Sequence, residues 1–363
     1  MVIIKLFKFL GVFDLNRILM VEPSYKQHVA VSVRLKYFLE ALEKSDLDVD
    51  VYSYDLGSKV SRLFKYLFPS VPRDLREKFK DMNVAFASSP PPLLAIVVSL
   101  LGKKYVVDIR DIWEEYAQEV YPRFLVKRIV SKYFNALRNA DSVVVTTDGM
   151  ANYYKEKLGI ESVVIPNGTD IKIIRCDSDV LRNPNLMVVL ADFSTPYQNL
   201  APILEALTLV KDIRLLIIGS GKYLNRYLSF AKKLGVIDKI ETAGHVPYNK
   251  LSKYLCRASI GIVGRPLSFN PEYLYTIPTK VYDYLAAGLP ILAYGPPNSE
   301  LQKFMEKNNI GIYLDDADLS EVAESIITLL SKATNMRGHL LNIASRYDRK
   351  KLSTVLVDII TGL

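Results

Sequence analysis

A chain of 363 residues, half of them hydrophobic, is long enough for about two domains with sizeable cores. Its two cysteines, Cys176 and Cys256, make no disulfide framework and no zinc cluster, so a reducing compartment is the simple reading. The net charge of +8 is unevenly spread: residues 59–80 hold seven Lys/Arg against two acids, and residues 121–138 hold five and no acid. Basic blocks with interleaved aromatics fit anionic lipid, phosphorylated substrates or nucleic acid, the bland alternative being a solvated helix face. No RNP-type, zinc-finger or basic-zipper pattern occurs, so nucleic acid ranks low.

The first stretch, "MVIIKLFKFLGVF", lacks a small-residue cleavage site. It reads as an ordinary buried element or as an interfacial helix with Lys5 and Lys8 on one side. Strand-like runs then alternate with helical ones: "RILMVE" (17–22), "DVDVYSY" (48–54), "NVAFA" (83–87), "KYVVDI" (104–109), "SVVVT" (142–146) and "SVVIP" (162–166). "PPPLLAIVVSLLG" is the longest apolar run and is shorter than the roughly 20 residues that span a bilayer. The series starts afresh with "LMVVLAD" (186–192), "IRLLIIG" (213–219), "KIETAG" (239–244), "SIGIVG" (259–264) and "PILAYG" (290–295). This alternation predicts an α/β protein of two doubly wound domains facing a cleft, with continuous apolar strands covered on both sides. The seam is expected within residues 165–185, giving domains 1–170 and 171–344. The last segment puts Leu352, Val355, Leu356, Ile359 and Ile360 on one helical face, so 345–363 is expected to pack back on the first domain.

One stretch, "IPTKVYDYLAAGLPI" (277–291), has the boundaries of a two-turn helix. Thr279 suits an N-cap, Gly288 a C′ position, and Pro290 blocks continuation. So short a helix gains little from its own hydrogen bonds. Its N-terminus with Lys280 would accept an anion, and Asp283 lies one turn further, roughly 5–6 Å along the axis, about a diphosphate-to-ribose distance. A surface helix with an ordinary Lys/Asp ion pair is the alternative. "IGSGKY" (218–223) departs from a phosphate-binding P-loop at Leu216 and Tyr223. Its Gly219 and Gly221 read either as a tight turn or as glycines that let a nucleotide approach. "DVD" (48–50) precedes a strand and is set aside as a metal ligand. Asp108 and Asp111 form a carboxylate pair; Asp111 is favoured for acid–base work, with Asp108 pointing from a strand end or capping a helix.

Five stretches, "DIRDIWEEY" (108–116), "ADSVVVTTDGMANYYKEKLGIESVVIPNGTD" (140–170), "LLIIGSGKYLNRYL" (215–228), "AGHVPYNKLSKYLCRASIGIV" (243–263) and "PTKVYDYLAAGLPILAYG" (278–295), occur in an order and spacing that resembles retaining glycosyltransferases of the GT-B fold, glycosyltransferase family 4, in the branch that builds surface polysaccharides. The resemblance covers residues 80–315 well. It implies a metal-independent enzyme that moves a sugar from a UDP- or GDP-sugar to a saccharide or polyprenyl-linked acceptor with retention. The donor would be held by the second domain and the acceptor by the first, in the cytoplasm or on the inner membrane face. By resemblance, Asp283 is the second position of a Glu-x7-Glu motif and binds ribose, while the first falls on Tyr275, with Glu272 near but out of register. The family's diphosphate Arg and Lys fall, counted from Glu205, on Phe193 and Gln198, which leaves Lys280 and Arg265 as substitutes. The donor side further implied comprises Thr279, Tyr282, Gly219, Gly221, His245 and Val246. The acceptor side comprises His28, Arg110 and Asp111, and Lys280, Arg265 and Asp111 are the catalytic candidates. A sugar-nucleotide 2-epimerase, which needs no acceptor, and a two-lobed non-enzymatic sugar-binding protein are the other readings.

Overall fold

The computed structural model describes residues 17–24, 29–176, 181–316 and 318–363. In its first sheet β1 (Arg17–Ser24), β2 (Asp48–Asp55), β3 (Val84–Ser89), β4 (Lys104–Ile109), β5 (Ser142–Val145) and β6 (Val163–Val164) lie in the order β2-β1-β3-β4-β5-β6. In its second, β7 (Leu186–Leu190), β8 (Arg214–Ile218), β9 (Ile240–Gly244), β10 (Ile260–Gly264), β11 (Ile291–Tyr294) and β12 (Gly311–Leu314) lie in the order β12-β11-β10-β7-β8-β9. All neighbouring strands are parallel. Parallel neighbours need a crossover, and the helices between the strands provide it. Strands β3 and β10 are buried along their whole length, which is why they carry no polar alternation.

The chain divides into two compact units. The first runs to Ile165 and takes in Lys350–Leu363; the second is Pro166–Arg349. The C-terminal helix Thr354–Thr361 packs on the helix Val29–Lys44 of the first unit. Leu356 and Ile360 join Ile18, Met20, Phe38 and Phe86 in its core, with Leu352, Val355 and Ile359 half-buried against them.

Two expectations fail. Strand β12, "GIYL", escapes the sequence reading because it is four residues long at a sheet edge and only Leu314 is fully buried. Cys176 and Cys256 are joined in a disulfide across 80 residues, so reading the pair as a mark of a reducing compartment does not stand. Two isolated cysteines carry no pairing signal in sequence. The fold supplies it by bringing Cys176 beside the end of the helix Ser252–Leu255, with 5.4 Å between the Cα atoms.

Candidate functional site

The order of the second sheet turns back between β7 and β10, the place where doubly wound sheets open a ligand crevice at their strand carboxyl ends. The segment leaving β7 carries Asp192 and Gln198; the one leaving β10 begins with Arg265. Next come the helices Pro271–Tyr275 and Thr279–Ala286. Lys280 is buried there, and its Nζ donates to Gln198 Oε1 at 2.6 Å. Among the described residues it forms no salt bridge. Burial and the neighbouring Arg265 charge push its ammonium down to about 7, against a smaller opposing pull from Asp192. Arg265 is also buried: Nη1 donates to the carbonyls of Tyr273 (2.7 Å) and Thr276 (3.0 Å), and Nη2 to Thr276 Oγ1 (2.8 Å). The guanidinium therefore shapes the 271–276 turn while lending its charge to Lys280. A second buried cation beside Arg265 is costly unless an anion joins it.

The helix Thr279–Ala286 owes its existence to burial. Every residue from Lys280 to Ala286 is buried, and Val281, Tyr284 and Leu285 sit in the core below the sheet. Each such apolar side chain contributes about 1.5–3 kcal/mol, far more than two turns of helix supply alone. Gly288 has φ +66°, in keeping with a C′ residue. The N-cap, however, is Pro278 and not Thr279, which is the exposed first helical residue. No side chain caps the first turn; Val281 N–H turns back to the Pro278 carbonyl at 3.0 Å, which leaves the amides of Thr279 and Lys280 for an anion. Tyr282, expected on the donor side, instead belongs to the core: its ring lies 5.7 Å from Phe304 and 5.2 Å from Tyr347.

Asp283 is 3% exposed, where an open carboxylate was expected. Its Oδ1 accepts from Thr169 Oγ1 at 2.7 Å and Tyr248 Oη at 3.2 Å; Oδ2 accepts no hydrogen bond among the described residues. Burial raises its carboxyl, and the Arg349 charge opposes that. Asp283 thus ties the helix to residues 169 and 248, and neither partner was singled out from sequence. Their separations, 114 and 35 residues, give no local signal.

Gly219 and Gly221 have φ +135° and +143°. A Cβ on either would strike the backbone of Ala191 (1.8 Å) or Phe193 (2.2 Å). The close approach these glycines permit is that of the protein's own β7 loop. Phe193 is buried against Tyr227, at a centroid distance of 6.2 Å. His245 is exposed at the end of β9 and Val246 is half-buried. Glu272 is buried at the second turn position after Asn270, whose side chain accepts its N–H; Tyr275 is half-buried.

In the first unit, Asp108 caps no helix. It is fully buried, paired with Arg34 (Nη2–Oδ1 2.9 Å) and accepting from Ser88 Oγ (3.1 Å). Arg110 follows β4 and donates through Nη2 to the Pro90 carbonyl at 2.6 Å; Asp111 beside it is exposed. His28 lies outside the described residues, as does the stretch 1–13. The sequence reading passed over Glu114, which is fully buried at the start of the helix Trp113–Val120. Among the described residues neither carboxyl oxygen has a hydrogen bond of good geometry, nor do the hydroxyls of Ser89, Tyr133 and Tyr154, although the Tyr154 hydroxyl stands close enough to favour the carboxylate a little. Burial raises Glu114 to about 7. Its adjacency to Glu115 in "WEEY" hid it, because consecutive helical positions differ in burial and composition does not say which points inward.

Against known families, a model described as Glycosyltransferase Family 4 matches residues 31–173, and one described as Glycosyl transferases group 1 matches residues 184–332. No curated protein matches the sequence. Among solved structures, HepE of Anabaena in complex with UDP superposes with a TM-score of 0.69 at 13% identity, covering 96% of this chain and 100% of that one. Sucrose-phosphate synthase of Thermosynechococcus elongatus gives 0.73 at 14%, covering 95% and 98%. WaaG, a glycosyltransferase involved in lipopolysaccharide biosynthesis, gives 0.69 at 14%, covering 95% and 100%. At these identities the structural likeness is one of fold.

Proposed function

This chain belongs to the GT-B glycosyltransferases of the family 4 type, and we propose that it moves a sugar from a nucleoside-diphosphate donor to a saccharide or polyprenyl-linked acceptor, with retention. The observation that carries the reading is the buried Lys280, without a carboxylate partner, at the switch point of the second sheet. HepE, which shares the fold, has been captured with UDP and with UDP-glucose. In the proposed pose the diphosphate meets the uncapped first turn at Thr279, Lys280 Nζ and the Arg265 charge. The ribose lies towards Asp283 Oδ2, with the base near His245 and Val246. Breaking the bond between anomeric carbon and phosphate oxygen puts the electron pair on that oxygen, where these cationic groups stabilise it. The departing phosphate takes the proton of the acceptor hydroxyl as the new carbon–oxygen bond forms on the same face, so no protein nucleophile is required. Lys280 and Arg265 supply the positive charge a metal ion would otherwise bring, and the enzyme is proposed to work without one. Arg110 and Asp111 are proposed for the acceptor.

The polyprenyl-linked alternative for the acceptor draws support from the first unit's surface. Phe64 and Phe124 are 64% and 72% exposed, and Val60, Leu63, Phe68 and Tyr121 are exposed too, as are the cationic Arg73, Arg76, Arg123, Lys127 and Arg128. The helices Lys59–Leu67 and Arg123–Arg138 touch, and we propose that their exposed basic and apolar residues together meet an anionic membrane. No helix among the described residues is long and apolar enough to cross a membrane. The test is a panel of UDP- and GDP-sugars: one should raise the melting temperature and be consumed only when an acceptor is added. Conversion without an acceptor would make the protein an epimerase instead.

A further inference from the structure

We infer that the Lys280 amine is neutral while the site is empty and takes up a proton when a diphosphate binds, which couples donor binding to pH. This rests on the proposed placement of the diphosphate at Lys280. The geometry has three parts. Nζ is largely withdrawn from solvent, so hydration stabilises a charge there poorly. Its hydrogen-bond partner, the Gln198 amide oxygen at 2.6 Å, can accept from an amine N–H as well as from an ammonium and brings no negative charge to hold the proton. Of the charged groups that act on it, Arg265 repels a second cation, and Asp192, which attracts one, is exposed and accepts the Ser194 N–H at 2.8 Å. The carboxylate on its own helix, Asp283, is engaged with Thr169 and Tyr248. These surroundings bring the ammonium down to about 7, so Nζ is mostly neutral at mildly alkaline pH.

An arriving diphosphate reverses the balance, because its negative charge favours the ammonium. The proton comes from solvent onto the lone pair of Nζ and returns when the nucleotide leaves. By linkage, what makes the nucleotide recruit the proton also makes the nucleotide bind more weakly as pH rises above 7. The loss is at most about tenfold per pH unit. The proton is acquired on binding, so the ammonium is already in place when charge grows on the leaving oxygen.

The test is calorimetry of the full chain with UDP and with GDP at about pH 8.5, where a terminal phosphate (second pKa ≈ 6) is already ionised and contributes no proton. Two buffers of different ionisation enthalpy give the proton count. The expected result is uptake of about half to one proton per bound nucleotide. Lys280→Arg, charged at every pH, should bind with no uptake. Lys280→Met should lose nucleotide binding yet melt above the parent near neutral pH, because folding no longer forces a lysine to give up the proton it keeps in the unfolded chain. Nucleotide binding by the parent with the same heat in both buffers would overturn the inference and leave the proposed function intact. Uptake that persists in Lys280→Arg would overturn it as well, by assigning the proton elsewhere. Failure of the parent to bind either nucleotide would remove the reading underneath it.

Discussion

Replacing Asp283 separates two roles that its two oxygens divide between them. Oδ1 holds Thr169 and Tyr248, at 2.7 and 3.2 Å, inside the protein. A hydrogen bond to a charged acceptor contributes about 1.5–3 kcal/mol, and burying the carboxylate costs part of that back, as its raised carboxyl pKa indicates. The Arg349 charge beside it adds attraction that alanine would also remove. The net loss in Asp283→Ala is therefore about 3 kcal/mol, or roughly 6–12 °C in melting temperature for a unit of this size. Asp283→Asn keeps an acceptor for Thr169 and loses the charge, so about half that shift is expected. Oδ2 faces the proposed ribose, and both variants should also weaken nucleoside monophosphate binding about tenfold or more. Differential scanning calorimetry reads the first role and titration with UMP and GMP the second. An alanine variant that melts with the parent would refute the anchoring argument, since two buried hydroxyls cannot lose their acceptor without cost.

Lys280→Ala should lower kcat by about 100-fold or more as well as weakening diphosphate binding, because its charge meets the oxygen on which charge develops; steady-state kinetics checks both. Glu114 should make the fold pH-sensitive: its carboxyl is raised to about 7 from 4.5, so the stability it confers is complete below 4.5 and is lost as pH rises through 7, about 3 kcal/mol in all. Glu114→Gln should flatten that slope and melt above the parent at alkaline pH, as thermal unfolding across pH would register. Vesicles with anionic lipid should co-sediment the protein more than neutral vesicles, and Phe64→Ser with Phe124→Ser should lessen the difference. Transfer should survive EDTA; full loss that Mg²⁺ or Mn²⁺ restores would place a metal in the mechanism.

What could be read from residues alone depended on whether the signal was local. Parallel sheets announce themselves in runs such as "LMVVL" and "IGIVG", because a strand covered on both faces has no polar alternation to hide it. The half-buried four-residue edge strand Gly311–Leu314 had neither length nor contrast. At the site, the short helix could be located to within a residue from Thr279, Gly288 and Pro290, whose effects act within a turn, although the cap itself falls on Pro278. Which of its faces is core could not, since Tyr282, Tyr284 and Asp283 are all buried and a hydrophobic stripe has no meaning on a helix covered all round. The cation shows the same limit from the functional side. Alignment to the family by spacing puts a missing lysine at Gln198, which reads as a defect in the phosphate site. In space Lys280, 82 residues away, ends at the Gln198 side chain, so a group that can carry positive charge stands at that place although it comes from another element. A phosphate site is defined by where the charge ends, and a long flexible side chain lets the chain deliver it from either wall of the crevice. It follows that Gln198→Lys with Lys280→Gln, which exchanges the ends of one hydrogen bond, should retain diphosphate binding that Lys280→Gln alone loses. Calorimetry with UDP and GDP decides it. If the double variant binds no better than the single, the place of Nζ at Gln198 has no bearing on phosphate.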